Sequence, residues 1–127
     1  MNEISSHCVA DKRPLTSAER DLILWLIANG SSNAAKYASQ LAHVTVLSRC
    51  TCGCPTVNLA VNGEYATGNS ETIGNAEGTS PEGVKVGVIL HCRGGLLSEL
   101  EVYSIDGYEG QFGLPSPDDL VAFPAED

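Results

Sequence analysis

Three of the chain's five cysteines fall within five residues, in Cys50-Thr51-Cys52-Gly53-Cys54-Pro55. Alternate residues of an extended chain share a face, and Gly53 can let the chain turn Cys54 back toward its neighbours. Three thiolates converging on one point suit a soft or borderline cation such as zinc. A fourth ligand would come from elsewhere in the chain, His91 or Cys92. The predicted metal ligands are therefore Cys50, Cys52, Cys54 and His91. The spacing departs from structural zinc sites, which usually pair their cysteines as Cys-x-x-Cys. The competing reading makes Cys50 a small buried residue facing Val57 and leaves Cys52 and Cys54 as turn residues. A thioredoxin-like mechanism has no support without a Cys-x-x-Cys pair, but a thiol-redox response stays open.

A second group lies further along. Glu99 and Glu101 are two apart in a strand-like run and share a face with Tyr103. Two carboxylates so placed can do acid–base work or bind a cation, or they can form a solvated face paired with Lys85, Arg49 or Arg93. His91 and Cys92 are adjacent, so on a strand they point to opposite faces and cannot form a nucleophile–base pair with each other. His91, Glu99 and Glu101 are the candidate catalytic residues, with no cofactor-binding residues. Arg93-Gly94-Gly95 reads as a turn, since it lacks a phosphate loop's Gly-x-x-x-x-Gly-Lys pattern and does not precede a helix.

The elements that must position these groups are legible in part. Thr16-Ser17-Ala18-Glu19 is a capping box, which predicts a helix from Ser17 to about Ala28, stopped at Asn29-Gly30. Leu22, Ile23, Leu26 and Ile27 give it a broad apolar stripe, with Trp25 at the edge of the core. A second helix is predicted over 33–42, capped by Ser31 or Ser32. Val44–Val61 alternates as a hairpin in which Cys50 faces Val57 and Val46 faces Val61. Val84–Ser104 reads as another, with a three-residue Arg93-Gly94-Gly95 turn setting Leu96 against Cys92, Leu100 against Val88 and Val102 against Val86. A two-residue Gly-Gly turn is rejected because it would set Leu90 against Glu99 and Val88 against Glu101. Ser116-Pro117-Asp118-Asp119 predicts a short C-terminal helix of about two turns reaching Leu120 and Val121.

The chain has 127 residues, 43% of them hydrophobic, enough for one modest core. Residues 1–14 read as a loosely held lead, 15–122 as a single domain with a long loop at 63–83, and 123–127 as a frayed tail. Seven basic residues against sixteen acidic ones give a formal charge of -9, which argues against a nucleic-acid partner and slightly favours a protein with a basic surface. Met1 to Asp11 has neither a basic start nor an apolar run, and Leu22–Ala28 is too short to span a bilayer. The expectation is a cytoplasmic protein with no membrane partner. An odd cysteine count fits that reducing setting better than a closed disulfide framework. An exposed sheet edge would leave a homodimer open.

The segments Arg49-Cys50-Thr51-Cys52-Gly53-Cys54-Pro55-Thr56, Val88-Ile89-Leu90-His91 and Leu97-Ser98-Glu99-Leu100-Glu101-Val102-Tyr103-Ser104, followed by Leu114-Pro115, resemble a family of small uncharacterised bacterial proteins. Its members carry similar Cys-Gly-Cys-Pro and Leu-Ser-Glu-Leu-Glu-Val-Tyr-Ser segments. The resemblance covers about residues 15–122 and implies no activity, cofactor or ligand.

The expected fold is α+β: two N-terminal helices packed on an antiparallel sheet made of two β-hairpins, with a short C-terminal helix. The leading functional expectation is a non-enzymatic interaction or regulatory module using the acidic sheet face and the 63–83 loop. The alternative is a metal-binding or thiol-redox-responsive protein, or a small metal-assisted hydrolase built on the cysteine cluster, His91 and the Glu99/Glu101 pair.

Overall fold

A computed structural model describes residues 8–122; residues 1–7 of the expected lead and the 123–127 tail expected to fray lie outside them. The fold is α+β, with two N-terminal helices on an eight-stranded antiparallel sheet. The strands are β1 (Cys8–Pro14), β2 (Val44–Cys50), β3 (Val57–Val61), β4 (Glu64–Tyr65), β5 (Ser70–Thr79), β6 (Lys85–Arg93), β7 (Leu96–Ser104) and β8 (Val121–Ala122). Their order across the sheet is β1-β2-β3-β7-β6-β5-β8, with β4 hydrogen-bonded to β3 off that path. The two expected hairpins form its centre and join where Val57 pairs with Leu100 and Asn58 with Glu99.

Helix α1 (Ser17–Ala28) starts and stops where its sequence predicts. The Thr16 hydroxyl accepts from the Glu19 amide at 3.1 Å, and the Glu19 carboxylate accepts from the Thr16 amide at 2.8 Å. Its stripe of Leu22, Ile23, Leu26 and Ile27 is buried against β5 and β6. Glu19 is itself buried, and its two oxygens accept from the Arg13 guanidinium at 2.9 Å each. Burial would raise the Glu19 carboxyl, but the bonds from Arg13 and Thr16 outweigh it and hold the group below the usual glutamate range.

The second helix, Ala34–His43, is 3₁₀ rather than α, and neither Ser31 nor Ser32 caps it; its N-cap is Asn33, which makes no side-chain bond. Ala34, Tyr37 and Gln40 recur every third residue, the period at which 3₁₀ side chains line up. Ala34 and Tyr37 are buried, and Gln40 is tied to the β6–β7 hairpin. Its amide donates to the Gly95 carbonyl at 2.6 Å and its oxygen accepts from the Leu97 amide at 2.9 Å. Leu59 and Leu100 are 1% and 0% exposed, so the helix-facing side of the sheet is the core.

Several expectations are corrected. Residues 8–14 are not a loose lead: they form β1, an edge strand paired with β2. Residues 63–83 are not a long loop: β4 and β5 occupy most of that span, and β5 runs the length of β6. In the first hairpin the connection is one residue longer than expected, so Val57 faces Arg49 rather than Cys50, and a bulge between Val46 and Ser48 then sets Val61 against Val44 rather than Val46. The second hairpin does turn on two residues, Gly94 and Gly95. Arg93 faces Leu96 and Cys92 faces Leu97, and a bulge at Ser98 then shifts the register so that His91 faces Glu99 and Leu90 faces Leu100. That bulge reconciles the short turn with the apolar pattern. The C-terminal helix is one 3₁₀ turn, Pro117–Asp119. Leu120 leaves it extended and buried, and Val121–Ala122 pairs with β5 instead of continuing the helix.

Among the described residues no helix is long and apolar enough to cross a membrane.

Candidate functional site

The connection from β2 to β3 holds the three cysteines together. Gly53 takes φ +104°, which a residue with a side chain rarely adopts, and this reversal brings Cys54 back beside Cys52. Cys52 Sγ lies 3.0 Å from both Cys50 Sγ and Cys54 Sγ. The loop is pinned on three sides. The Cys50 amide donates to the Thr56 carbonyl at 3.2 Å, and the Phe112 amide donates to the Gly53 carbonyl at 3.2 Å. The Thr56 hydroxyl donates to the Val102 carbonyl at 3.0 Å and accepts from the Val102 amide at 2.9 Å.

The sulfurs differ in proton affinity. Burial pushes Cys50 up to about 12, and its bond to Cys52 adds to the rise. Cys52 is exposed and held below the ordinary thiol value, chiefly by hydrogen bonds from Cys50 and Cys54 and then by the Cys54 amide. Cys52 therefore gives up its proton more readily than Cys50.

The other ligand group is built by the β6–β7 ladder. His91 stands directly across from Glu99, and Glu101 lies two residues further along the same face. His91 Nε2 is 2.8 Å from Glu101 Oε1. Glu99 is raised, first by burial and then by the charge of Glu101; His91 and Arg93 act against the rise.

A cleft of about 850 Å³ joins the two groups: Cys50, Cys52 and Cys54 line it together with Glu99 and Glu101. Tyr65, Tyr103 and Tyr108 line it too, each with more than a third of its surface exposed. Cys50 and Cys54 also border a second cavity of about 530 Å³, beside Arg13, Glu19 and Arg49.

The four expected metal ligands divide between these groups. Cys50, Cys52 and Cys54 stay together, with their sulfurs within 4.8 Å of one another. His91 groups with Glu99 and Glu101, again within 4.8 Å. Cys92 is buried on the helix-facing side of the sheet beside Tyr37 and takes no part. Cys50 does not face Val57, and Arg49, one of the expected partners of the glutamates, lies 3.8 Å from Asp11 instead.

Sequence reasoning placed Tyr103 beside the glutamates but missed Thr56, Ser98, Tyr65 and Tyr108. For Thr56 the available signal was a hydroxyl residue where the cysteine loop meets an apolar strand. Ser98 left none, because bulges cannot be read from alternation alone.

Comparison with models of known families, with curated proteins and with solved structures returns no match.

Proposed function

We propose that this is a metal-binding protein in which Cys50, Cys52 and Cys54 hold one thiophilic cation of the zinc class at the edge of the cleft. The observation that carries the reading is the convergence of three sulfurs within 4.8 Å on a loop fixed by its own backbone bonds. In a tetrahedral site with zinc–sulfur bonds of about 2.3 Å, neighbouring sulfurs sit about 3.8 Å apart. The pairs now at 3.0 Å would open by less than ~1 Å, a small movement for a glycine-containing turn. The thiol protons leave on binding, and that of Cys52 leaves more readily than that of Cys50. Three protein ligands leave a fourth position. Thr56 lies near Cys54, but its hydroxyl is engaged with Val102, which favours a water or a ligand from the cleft.

Titration of the fully reduced protein with cadmium, followed by thiolate-to-metal charge-transfer absorption, tests this. One equivalent should bind in the wild type, and Cys52→Ser should lose most of the band. No band with three titratable thiols would refute the reading.

The same 3.0 Å contacts favour a second reading, a thiol–disulfide response. Two of the three thiols would join, giving two protons and two electrons to an added disulfide oxidant and leaving the third thiol unoxidised. A mass loss of two hydrogens confined to the 50–54 segment supports it; three unchanged thiols would exclude it.

An interaction module on the acidic sheet face draws less support. Glu99 and Glu101 are half-buried in the cleft wall, Glu101 is held by His91, and residues 70–79 are committed to the sheet.

A further inference from the structure

The cysteine loop leaves the polar corner of β6 and β7 unexplained. Three potential ligands meet there by the geometry of the ladder. His91 and Glu99 are direct cross-strand partners, and Glu101 is the next residue on that face. One nitrogen of His91 and one oxygen of each carboxylate lie within 4.8 Å of one another. The Ser98 bulge turns two consecutive side chains, Ser98 and Glu99, toward the cleft.

This corner is also short of partners. Three buried side-chain polar atoms among the described residues lack a hydrogen bond: Asn75 Oδ1, His91 Nδ1 and Ser98 Oγ. Two of the three belong to this corner, one from the bulge residue Ser98 and one from His91 on the strand opposite. Buried polar atoms without partners are rare in folded proteins and often mark a place for an ion or a water. A simple surface ion pair would account for the bond from His91 to Glu101. It would not account for Glu99 being turned toward the same point.

We propose that His91, Glu99 and Glu101 form a second cation site, which takes a divalent ion preferring nitrogen and oxygen donors, of the manganese type, in the wall of the cleft. Imidazole with two carboxylates is a donor set for such ions, whereas thiolates select softer ones. The two sites therefore sort cations by chemistry. The second does not depend on the first, so the failure of either leaves the other standing.

Manganese(II) separates them, because the thiolates compete poorly for it. Titration of the full-length protein, followed by loss of the free-ion electron paramagnetic resonance signal, is expected to show one bound equivalent. The Cys50→Ser/Cys52→Ser/Cys54→Ser variant should bind the same amount. Glu101→Gln and, separately, Glu99→Gln should each weaken binding at least about tenfold. His91→Gln covers the case in which either glutamine variant fails to fold, as judged by circular dichroism. Absence of manganese binding in the folded wild type would overturn the proposal. So would binding that survives unchanged in the folded glutamine variants, or binding lost with the cysteines.

Discussion

Thr56→Val removes the hydroxyl that clamps the cysteine loop to β7 while keeping the side chain's shape. The wild-type hydroxyl makes two bonds to Val102, one in each direction, and Val102 is fully buried. The backbone ladder between β3 and β7 is short, pairing only Val57 with Leu100 and Asn58 with Glu99, so Thr56 extends it by side chain. Valine would leave the Val102 amide and carbonyl without partners, at about 1–3 kcal/mol per group. Thr56 borders the cleft and is only partly buried, so water can reach part of the gap, and the sum is best placed at about 2–3 kcal/mol. Thr56→Ser keeps both bonds and should cost less than about 1 kcal/mol. Urea unfolding of the three proteins, analysed with a common slope, measures the difference. A loss below about 0.5 kcal/mol for valine, or equal losses for valine and serine, would refute the clamp. The valine variant should also bind cadmium more weakly, because the sulfurs lose their fixed spacing.

Other consequences can be checked separately. Arg13→Ala leaves the Glu19 carboxylate buried with its guanidinium partner gone, and the expected loss is about 2–3 kcal/mol, reduced from the fully buried case because Arg13 is partly exposed. Since folding lowers the Glu19 pKa, its contribution is complete above the ordinary glutamate range and disappears as pH falls through the depressed value. Glu19→Gln should therefore flatten the acid limb of the stability curve, and an unchanged limb would contradict the assignment. Gly74→Ala would put a Cβ 2.6 Å from the Leu26 carbonyl oxygen, where helix and strand backbones touch. A loss of about 3 kcal/mol is expected by thermal or denaturant unfolding, at the upper end for overpacking, and a neutral result would mean that α1 sits further from β5. Brief iodoacetamide labelling near neutral pH should modify Cys52 well before Cys50 and leave Cys92 untouched, as peptide mass mapping will show.

What the sequence disclosed, and what it hid, follows from how each segment is held. Helix α1 was legible because capping chemistry and an apolar stripe are local signals, and Thr16, Glu19 and Leu22–Ile27 supply both. The apolar strands of the central hairpins were legible by alternation, but their registers were not, because a bulge at Ser98 or beside Val46 adds one residue without changing composition. Strand β5 was hidden for a packing reason. Gly74 lies against the Leu26 backbone and Gly78 against Leu120 and Pro115, and larger side chains would not fit. A strand obliged to use small residues reads as a flexible loop. Strand β1 pairs mainly through its backbone at the sheet edge, so its mixed residues gave no pattern. The cysteine cluster and the glutamate pair were visible from spacing. The sequence offered His91 to both groups, to the cysteines as a fourth ligand and to the glutamates as a catalytic partner, and the bulge-shifted register sets it across from Glu99.

The central claim is that three thiolates bind one cation and leave its fourth position to the cleft. X-ray absorption at the zinc edge, on the protein loaded with one equivalent, reads that ligand set directly. Three sulfurs at about 2.3 Å and one lighter atom are expected. A shell of nitrogen and oxygen alone, or one with fewer than three sulfurs, would contradict the account.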